Sequence, residues 1–388
     1  MMTTVDKTLF MNRALELAAR GRGRVEPNPM VGCVLTKDGR IVAEGFHQRF
    51  GSAHAEIEAW SEAQRRGISV ADSHLHVTLE PCCHHGKMPP CTEAIIAAGI
   101  RRVTVAMVDP DPRVEGRGIQ ALRDAGVQVD VGELEDEATS LNAPYLKGLK
   151  QGLPWVILKW AQTIDGKIAT STGDSKWISS EPSRRYVHEM RARVDAIMVG
   201  IGTVLTDDPQ LTARDVSIER MARRVVIDPR LRLPPDSSLI QSLGTGGPPL
   251  IVAASEETCQ NDPTRRAKLE SLGAEIVSLR PLGDGDERLS LQPLPQHMGQ
   301  RYAATNVLVE GGATLLGSIL KEKLADELYV FVAPKLLGDG NALGAVRGMA
   351  IEKICNSQSL DLKRLETIGD DLLMVLQTCC EHQDALCE

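Results

Sequence analysis

The stretch PCCHHGKMPPC, residues 81–91, sets three cysteines and two histidines side by side. Thiol and imidazole donors packed this densely point to a soft divalent metal. Upstream, His54-Ala55-Glu56 opens a segment of helical character. One histidine and two thiolates can hold zinc with a fourth position open, and zinc lowers the pKa of a water there toward neutrality. A glutamate two residues beyond a ligand lies close to the metal yet stays free to titrate. It suits the movement of protons between a water, a ring nitrogen and a departing ammonia.

The chain meets H-x-E…P-C-x-x-C, the pattern of zinc-dependent deaminases, only in part. His54, Glu56 and Pro81-Cys82 fit, but His85 stands where the second cysteine belongs. The next cysteine, Cys91, opens the helical segment CTEAIIAAG. A helix N-terminus favours a thiolate, so Cys91 reads as the second sulfur, displaced by the loop HHGKMPP. The competing reading is a closed structural site of Cys82, Cys83, His85 and Cys91, which leaves Glu56 beside His54 without a role. Cys33, Cys259 and Cys355 read as small buried hydrophobes. The C-terminal CCEHQDALC, with Cys379, Cys380, His382 and Cys387, has a metal-like composition but reads as an inert chain end.

These residues need elements to hold them. VGCVLTKDGRIVAEG reads as a β-hairpin turning at Lys37-Asp38-Gly39, HAEIEAWSEAQRR as a helix and LHVTLE as a strand. Helix and strand then alternate through CTEAIIAAG, RRVTVAMVD, GIQALRDAG and VQVDVGE, which predicts an α/β layer structure. Near Gly152 and Pro154 a second series opens with WVILKWAQT, continuing through VDAIMVG, RRVVID, PLIVAAS, AEIVSL, NVLVEGG and ELYVFVAPK. Each is a short β-branched run of the buried-strand kind. Residues 241–249 and 281–300, rich in Gly and Pro, read as surface loops. In VLVEGGATLLGSIL a strand, Gly311-Gly312 and a helix form a phosphate cradle, or simply a tight turn; a complete G-x-G-x-x-G is lacking. Two domains are expected, 1–148 and 149–388.

Net charge is −8 and aromatics make up 3% of the chain, so neither the basic face nor the stacking platform of a nucleic-acid binder is expected. A small substrate fits better. No apolar run reaches membrane-spanning length, and the N-terminus reads as a polar lead into an amphipathic helix rather than a secretory signal. Nine cysteines without a signal suggest a reducing, cytoplasmic setting.

LEPCCHHGKMPPC, EPNPMVGCV and HAEIEAW resemble segments of the bifunctional riboflavin-biosynthesis deaminase–reductase family. So do LKWAQTIDGKIATSTGDSKWIS, VGIGTVLTDDPQLTAR, VLVEGGATLLG and VAPKLLG, in the same order over residues 8 to 375. The resemblance implies a cytidine-deaminase-like three-layer α/β/α domain followed by a dihydrofolate-reductase-like α/β domain. It implies zinc on His54, Cys82 and Cys91, and Glu56 as general acid/base. Asn28, His47, His84 and Lys87 would line the pyrimidine nucleotide. In the second half it implies NADPH against Ala161, Trp177, Thr203, Asp207 and the run Gly312, Ala313, Thr314, Leu315, Leu316, Gly317 and Ser318. Ser175, Arg191, Leu211, Arg214 and Glu310 would face the substrate, the two arginines taking its phosphate. Asp207 or Lys159 would supply the proton. Deamination of a pyrimidine ribonucleotide would precede NADPH-dependent reduction of its ribosyl chain, in a homo-oligomer, dimer or tetramer. Cys83 and Met88 replace the family's more common Ser and Thr. A nucleoside- or tRNA-type deaminase with an appended domain is the alternative; it calls for the short P-C-x-x-C spacing.

Overall fold

The computed structural model describes residues 4–85, 89–283 and 288–378. Chain contacts divide it into two units, 1–151 and 152–388. The boundary expected at 148/149 lies inside the helix Ala143–Gln151, which belongs to the first unit.

The first unit is built on strands β1 (Gly32–Lys37), β2 (Arg40–Phe46), β3 (His74–Leu79), β4 (Arg102–Met107) and β5 (Gln128–Val131), ordered β2-β1-β3-β4-β5. β1 pairs antiparallel with β2 and β3, whereas β3, β4 and β5 run parallel. The predicted hairpin is present: Asp38 and Gly39 both have positive φ, 52° and 74°, the pair of values a two-residue primed turn demands. Side chains alternate across the sheet. Cys33 and Leu35 pack with Ala55, Ala59 and Ala63 of the helix Ala55–Arg65. Val34 packs on the other side with Met11, Ala14 and Leu17 of the helix Thr4–Ala19. The result is three layers. Gly45 of β2 is what lets the helix after His54 lie so close, because a Cβ there would fall 2.2 Å from the Ala55 carbonyl oxygen.

The second unit contains β6 (Trp155–Thr163), β7 (Lys167–Ala169), β8 (Ala196–Gly200), β9 (Arg223–Ile227), β10 (Leu250–Ser255), β11 (Glu275–Leu279), β12 (Asn306–Glu310), β13 (Glu327–Ala333), β14 (Leu343–Gly344), β15 (Leu360–Ile368) and β16 (Asp371–Thr378). Nine of these form one sheet, β11-β10-β9-β8-β12-β6-β13-β16-β15, while β7 and β14 pair separately. The sheet is parallel from β11 to β13, and the hairpin β15–β16 adds antiparallel to β13. Val156 and Leu158 face one core and Ile157 the other, as period-two alternation in a doubly covered sheet requires.

Two expectations need correction. The loop expected over 281–300 contains the helix Pro293–Tyr302, started by a proline in its first turn and anchored by buried Leu294 and Met298. Cys355, expected to be buried, is exposed in a surface turn. The C-terminal cysteine and histidine cluster lies outside the described residues.

Candidate active sites

Three elements of the first unit converge on one point. His54 is the residue before the helix Ala55–Arg65, Cys82 follows β3, and Cys91 begins the helix Cys91–Ala97. His54 Nδ1 lies 3.3 Å from Cys91 Sγ and 3.6 Å from Cys82 Sγ, and all three donor atoms fall within 4.8 Å of one another. Hydrogen bonds from Cys91 and His54 hold the Cys82 thiol well below its usual range, whereas the Cys91 thiol is raised by its neighbour Cys82 and by burial. One imidazole and two sulfurs at this spacing fit zinc, with room for a fourth, non-protein ligand. Cys83 points elsewhere: its Sγ lies 3.8 Å from the Arg113 carbonyl oxygen. Glu56 sits in the first helical turn and is 7% exposed; burial, then the charge of Cys82, raises its carboxyl above the ordinary range.

A cavity of about 430 Å³ opens onto these residues, within the size range of small-molecule sites. Asn28, His47 and His84, expected to line the nucleotide, line this cavity, and Lys87 lies outside the described residues. His47 Nδ1 meets the Ala53 carbonyl oxygen at 3.0 Å, so its Nε2 accepts from Asn28 Nδ2 at 3.3 Å. Burial lowers the His47 pKa, in keeping with a neutral ring. His84 Nδ1 is buried with no hydrogen-bond partner among the described residues.

The far wall is formed by Glu80, Asp109, Asp111, Arg113 and Tyr145, none of them among the residues expected from the sequence. Glu80 accepts from the backbone N–H groups of Asp109, Gly116 and Ile119, and so folds the segment after β4 over the cavity. The signal was available, because VDPDPRVEGRG follows the carboxyl end of a parallel strand, where open α/β sheets bind ligands.

In the second unit the chain steps outward from β6 through β8 to β11, then returns to insert β12 between β8 and β6. Such reversals leave a crevice at the strands' carboxyl ends. Gly311 and Gly312 stand there with φ of 72° and 83°. A Cβ on either would come within 3.6–3.7 Å of Thr203 Oγ1, so Thr203 and the glycine pair are brought together. Ala313 and Thr314 begin the helix Ala313–Lys321. Leu315 and Leu316 are buried in the core, Ser318 is buried, and Gly317 packs against the Arg347 backbone. Asp207 ends the helix Ile201–Asp207 and pairs with Lys176 at 3.0 Å. The neighbouring Trp177 is 63% exposed, with the Arg184 guanidinium 4.6 Å from its ring centroid.

Lys159 and Glu310 are register partners on β6 and β12. Arg191 grips Glu310 through Nε (2.6 Å) and Nη2 (2.7 Å) and donates Nη1 to the Thr212 carbonyl oxygen (3.3 Å). Burial alone would raise the Glu310 pKa, but Arg191 outweighs it and holds the carboxyl below its usual range. Enclosure of the Lys159 ammonium end, 5.6 Å from the Phe331 ring centroid, lowers its pKa. Leu211 is buried at φ 52°. Arg214 is exposed and its N–H donates to His188 Nδ1 at 3.2 Å. Ser175 is half-buried, and Ala161, half-buried on β6, packs against the core.

Comparison with known proteins assigns both units. Residues 4–107 match the cytidine and deoxycytidylate deaminase zinc-binding region, and residues 154–374 match the RibD C-terminal domain. The riboflavin biosynthesis protein RibD of Aquifex aeolicus is 40% identical over 374 residues, covering 96% of this chain and 99% of that protein. The Escherichia coli RibD is 38% identical over 379 residues, covering 95% and 98%. The chain belongs to the RibD family. A Thermotoga maritima diaminohydroxyphosphoribosylaminopyrimidine deaminase/5-amino-6-(5-phosphoribosylamino)uracil reductase of 35% identity superposes with a TM-score of 0.80, covering 97% of this chain and 99% of that one. Like other RibD proteins it is a bifunctional riboflavin-biosynthesis enzyme, a zinc-binding deaminase joined to a reductase that uses a nicotinamide cofactor. The fold classes expected for the two halves are those of the RibD family. Among the described residues no helix is long and apolar enough to cross a membrane.

Proposed function

We propose that the first unit deaminates 2,5-diamino-6-(5-phosphoribosylamino)pyrimidin-4(3H)-one, and that the second reduces the resulting 5-amino-6-(5-phosphoribosylamino)uracil to its ribityl form with NADPH. The observation that carries this reading is the convergence of His54, Cys82 and Cys91 beside a buried glutamate in a nucleotide-sized cavity. His54, Cys82 and Cys91 hold zinc, which when bound acts as a Lewis acid that makes water nucleophilic near neutral pH. Glu56 takes one proton from the water as it adds to the amino-bearing ring carbon and gives it to the ring nitrogen; it then carries the remaining hydroxyl proton to the amino group, which leaves as ammonia as the C–N bond breaks and the carbonyl forms. Burial raises its pKa, which favours its holding each proton between the two transfers. Asn28 and His47, hydrogen-bonded to each other, present fixed polar edges to the base, with His84 beside them, and Lys87 is assigned to the same substrate.

In the reductase half Thr203 and the Gly312 turn support the cofactor's phosphates, and Trp177, Ala161 and Asp207 border its reacting end. Of the run 312–318, the turn and first residues Gly312, Ala313 and Thr314 are the part suited to contact it; Leu315, Leu316, Gly317 and Ser318 hold the turn from beneath. Arg191 is spent on Glu310 and orients it, so the substrate phosphate falls to Arg214 with Ser175. Lys159, enclosed and with its pKa lowered by burial, is the better placed donor to the opening sugar oxygen; Asp207 pairs with Lys176. NADPH, when bound, would supply hydride for the sugar's C1, and the proton from Lys159 would complete the alcohol on the opened ring oxygen.

Six cysteines among the described residues are unbridged, which suits a reducing cytoplasm. The edge strand β15 exposes Leu362 and Leu365, each 54% accessible, a face that a second copy of the chain would cover in a homodimer or tetramer. The partner otherwise is the small pyrimidine nucleotide, not nucleic acid or membrane. The test supplies the pyrimidine nucleotide and follows ammonia release and then NADPH absorbance. Ammonia without NADPH consumption overturns the reductase assignment, and no ammonia overturns the deaminase assignment.

A further inference from the structure

The far wall of the deaminase cavity contains a chain of hydrogen bonds that ends on a cation. Tyr145 Oη donates to Asp109 Oδ1 at 3.0 Å, and the same oxygen accepts from the Asp111 N–H at 3.0 Å. Asp111 Oδ1 accepts from the Arg113 N–H at 2.9 Å, and the Asp111 carboxylate takes the Arg113 Nε and Nη2 edge. Asp111 is enclosed, its side chain 8% exposed, while the Arg113 side chain is 71% exposed. A buried carboxylate therefore anchors a guanidinium that reaches outward.

Asp111 engages only one edge of the fork. A guanidinium carries five N–H donors, and no group among the described residues engages Arg113 Nη1. The outer Nη1/Nη2 edge has the bidentate geometry that suits phosphate oxygens. Among the described residues lining this cavity the remaining basic groups are His47, His54 and His84. His54 is a metal ligand and His47 is tied to Ala53 and Asn28. Arg113 is thus the permanent positive charge of the described cavity wall.

We propose that Arg113 is a specificity-determining residue of the deaminase half: its free edge binds the 5′-phosphate of the pyrimidine ribonucleotide, and the Tyr145–Asp109–Asp111 chain positions it. This rests on the deaminase reading given above. Ammonia release reads this cavity alone, whatever phosphate the reductase half binds, so KM is measured on the zinc-loaded full chain with the phosphorylated substrate and with its dephosphorylated riboside. Loss of a charge-assisted fork predicts that Arg113→Gln raises KM for the nucleotide about 10- to 100-fold, leaves KM for the riboside unchanged and retains kcat. Arg113→Lys, which keeps the charge but not the fork, falls between. Arg117→Gln removes an exposed charge that does not line the cavity and leaves the nucleotide-to-riboside ratio unchanged. Zinc content and reductase rate check that each variant is folded. A ratio that Arg113→Gln and Arg113→Lys leave at the starting value overturns the assignment of Arg113 alone. No ammonia from either compound in the unsubstituted protein overturns the deaminase reading and this assignment with it.

Discussion

Arg191 and Glu310, 119 positions apart in the chain, meet in a two-pronged hydrogen bond of 2.6 and 2.7 Å beneath the reductase crevice. The side chains are 16% and 10% exposed, so the pair is largely withdrawn from water. Removing one partner strands the other's charge. Glu310→Gln should destabilise the second unit by about 3 kcal/mol, the lower end for a broken buried pair because some solvent reaches it. It should also abolish NADPH oxidation while ammonia release persists. The Glu310 pKa is depressed in the folded state, so the stabilisation is complete above the ordinary carboxylate range and is lost as pH falls through the depressed value. The melting temperature of the unsubstituted protein should therefore fall more steeply in acid than that of Glu310→Gln. Parallel acid profiles would contradict this.

Glu56→Gln should keep its zinc, since the ligand atoms belong to His54, Cys82 and Cys91. Loss of the proton carrier should slow ammonia release about 10²- to 10⁴-fold. Metal analysis beside the rate separates the two effects, and an unchanged rate removes Glu56 from the mechanism.

Cys82→Ser should lose zinc and ammonia release together. Cys83→Ser should retain both, because that sulfur faces the Arg113 carbonyl rather than the donor cluster. Equal zinc loss in the two variants would instead favour a closed structural site.

Lys159 has a lowered pKa, caused chiefly by burial, with Arg191 acting in the same direction and Glu310 opposing. A donor must be protonated, so the reductase rate should decline as pH rises through that lowered value. Lys159→Met should cut the rate about 10²- to 10⁴-fold and erase the alkaline limb, leaving deamination intact. Persistence of that limb in Lys159→Met assigns the proton to another group.

Gly317→Ala tests the support beneath the cofactor turn. The added Cβ would sit 1.7 Å from the Arg347 carbonyl oxygen, so helix or loop must shift. Overpacking of this kind costs about 1–3 kcal/mol. The melting transition of the second unit should drop and KM for NADPH rise. A variant with an unaltered transition would show that the helix accommodates the methyl group freely.

Much of the metal site was legible in the linear chain. His54-x-Glu56 at a helix start and Pro81-Cys82 after a strand carry their chemistry in residue type and local position. The β-branched runs marked the central strands, since strands buried on both faces must be apolar throughout. The hairpin was fixed by Asp38-Gly39, which tolerate positive φ. Tertiary structure decided what depends on distant partners. It separated Cys83 from Cys82, because one faces the cluster and its neighbour the Arg113 loop. It brought Arg113 and Tyr145 onto the cavity wall, and it paired Arg191, expected from the sequence to take the substrate phosphate, with Glu310. It also made a helix of 293–302, where prolines and glycines suggested a loop but buried Leu294 and Met298 prevailed. Local propensity and ligand chemistry act over a few residues. The placement of a charge depends on which strand end lies beside it, and here that order, with β12 inserted between β8 and β6, arises only when the sheet assembles.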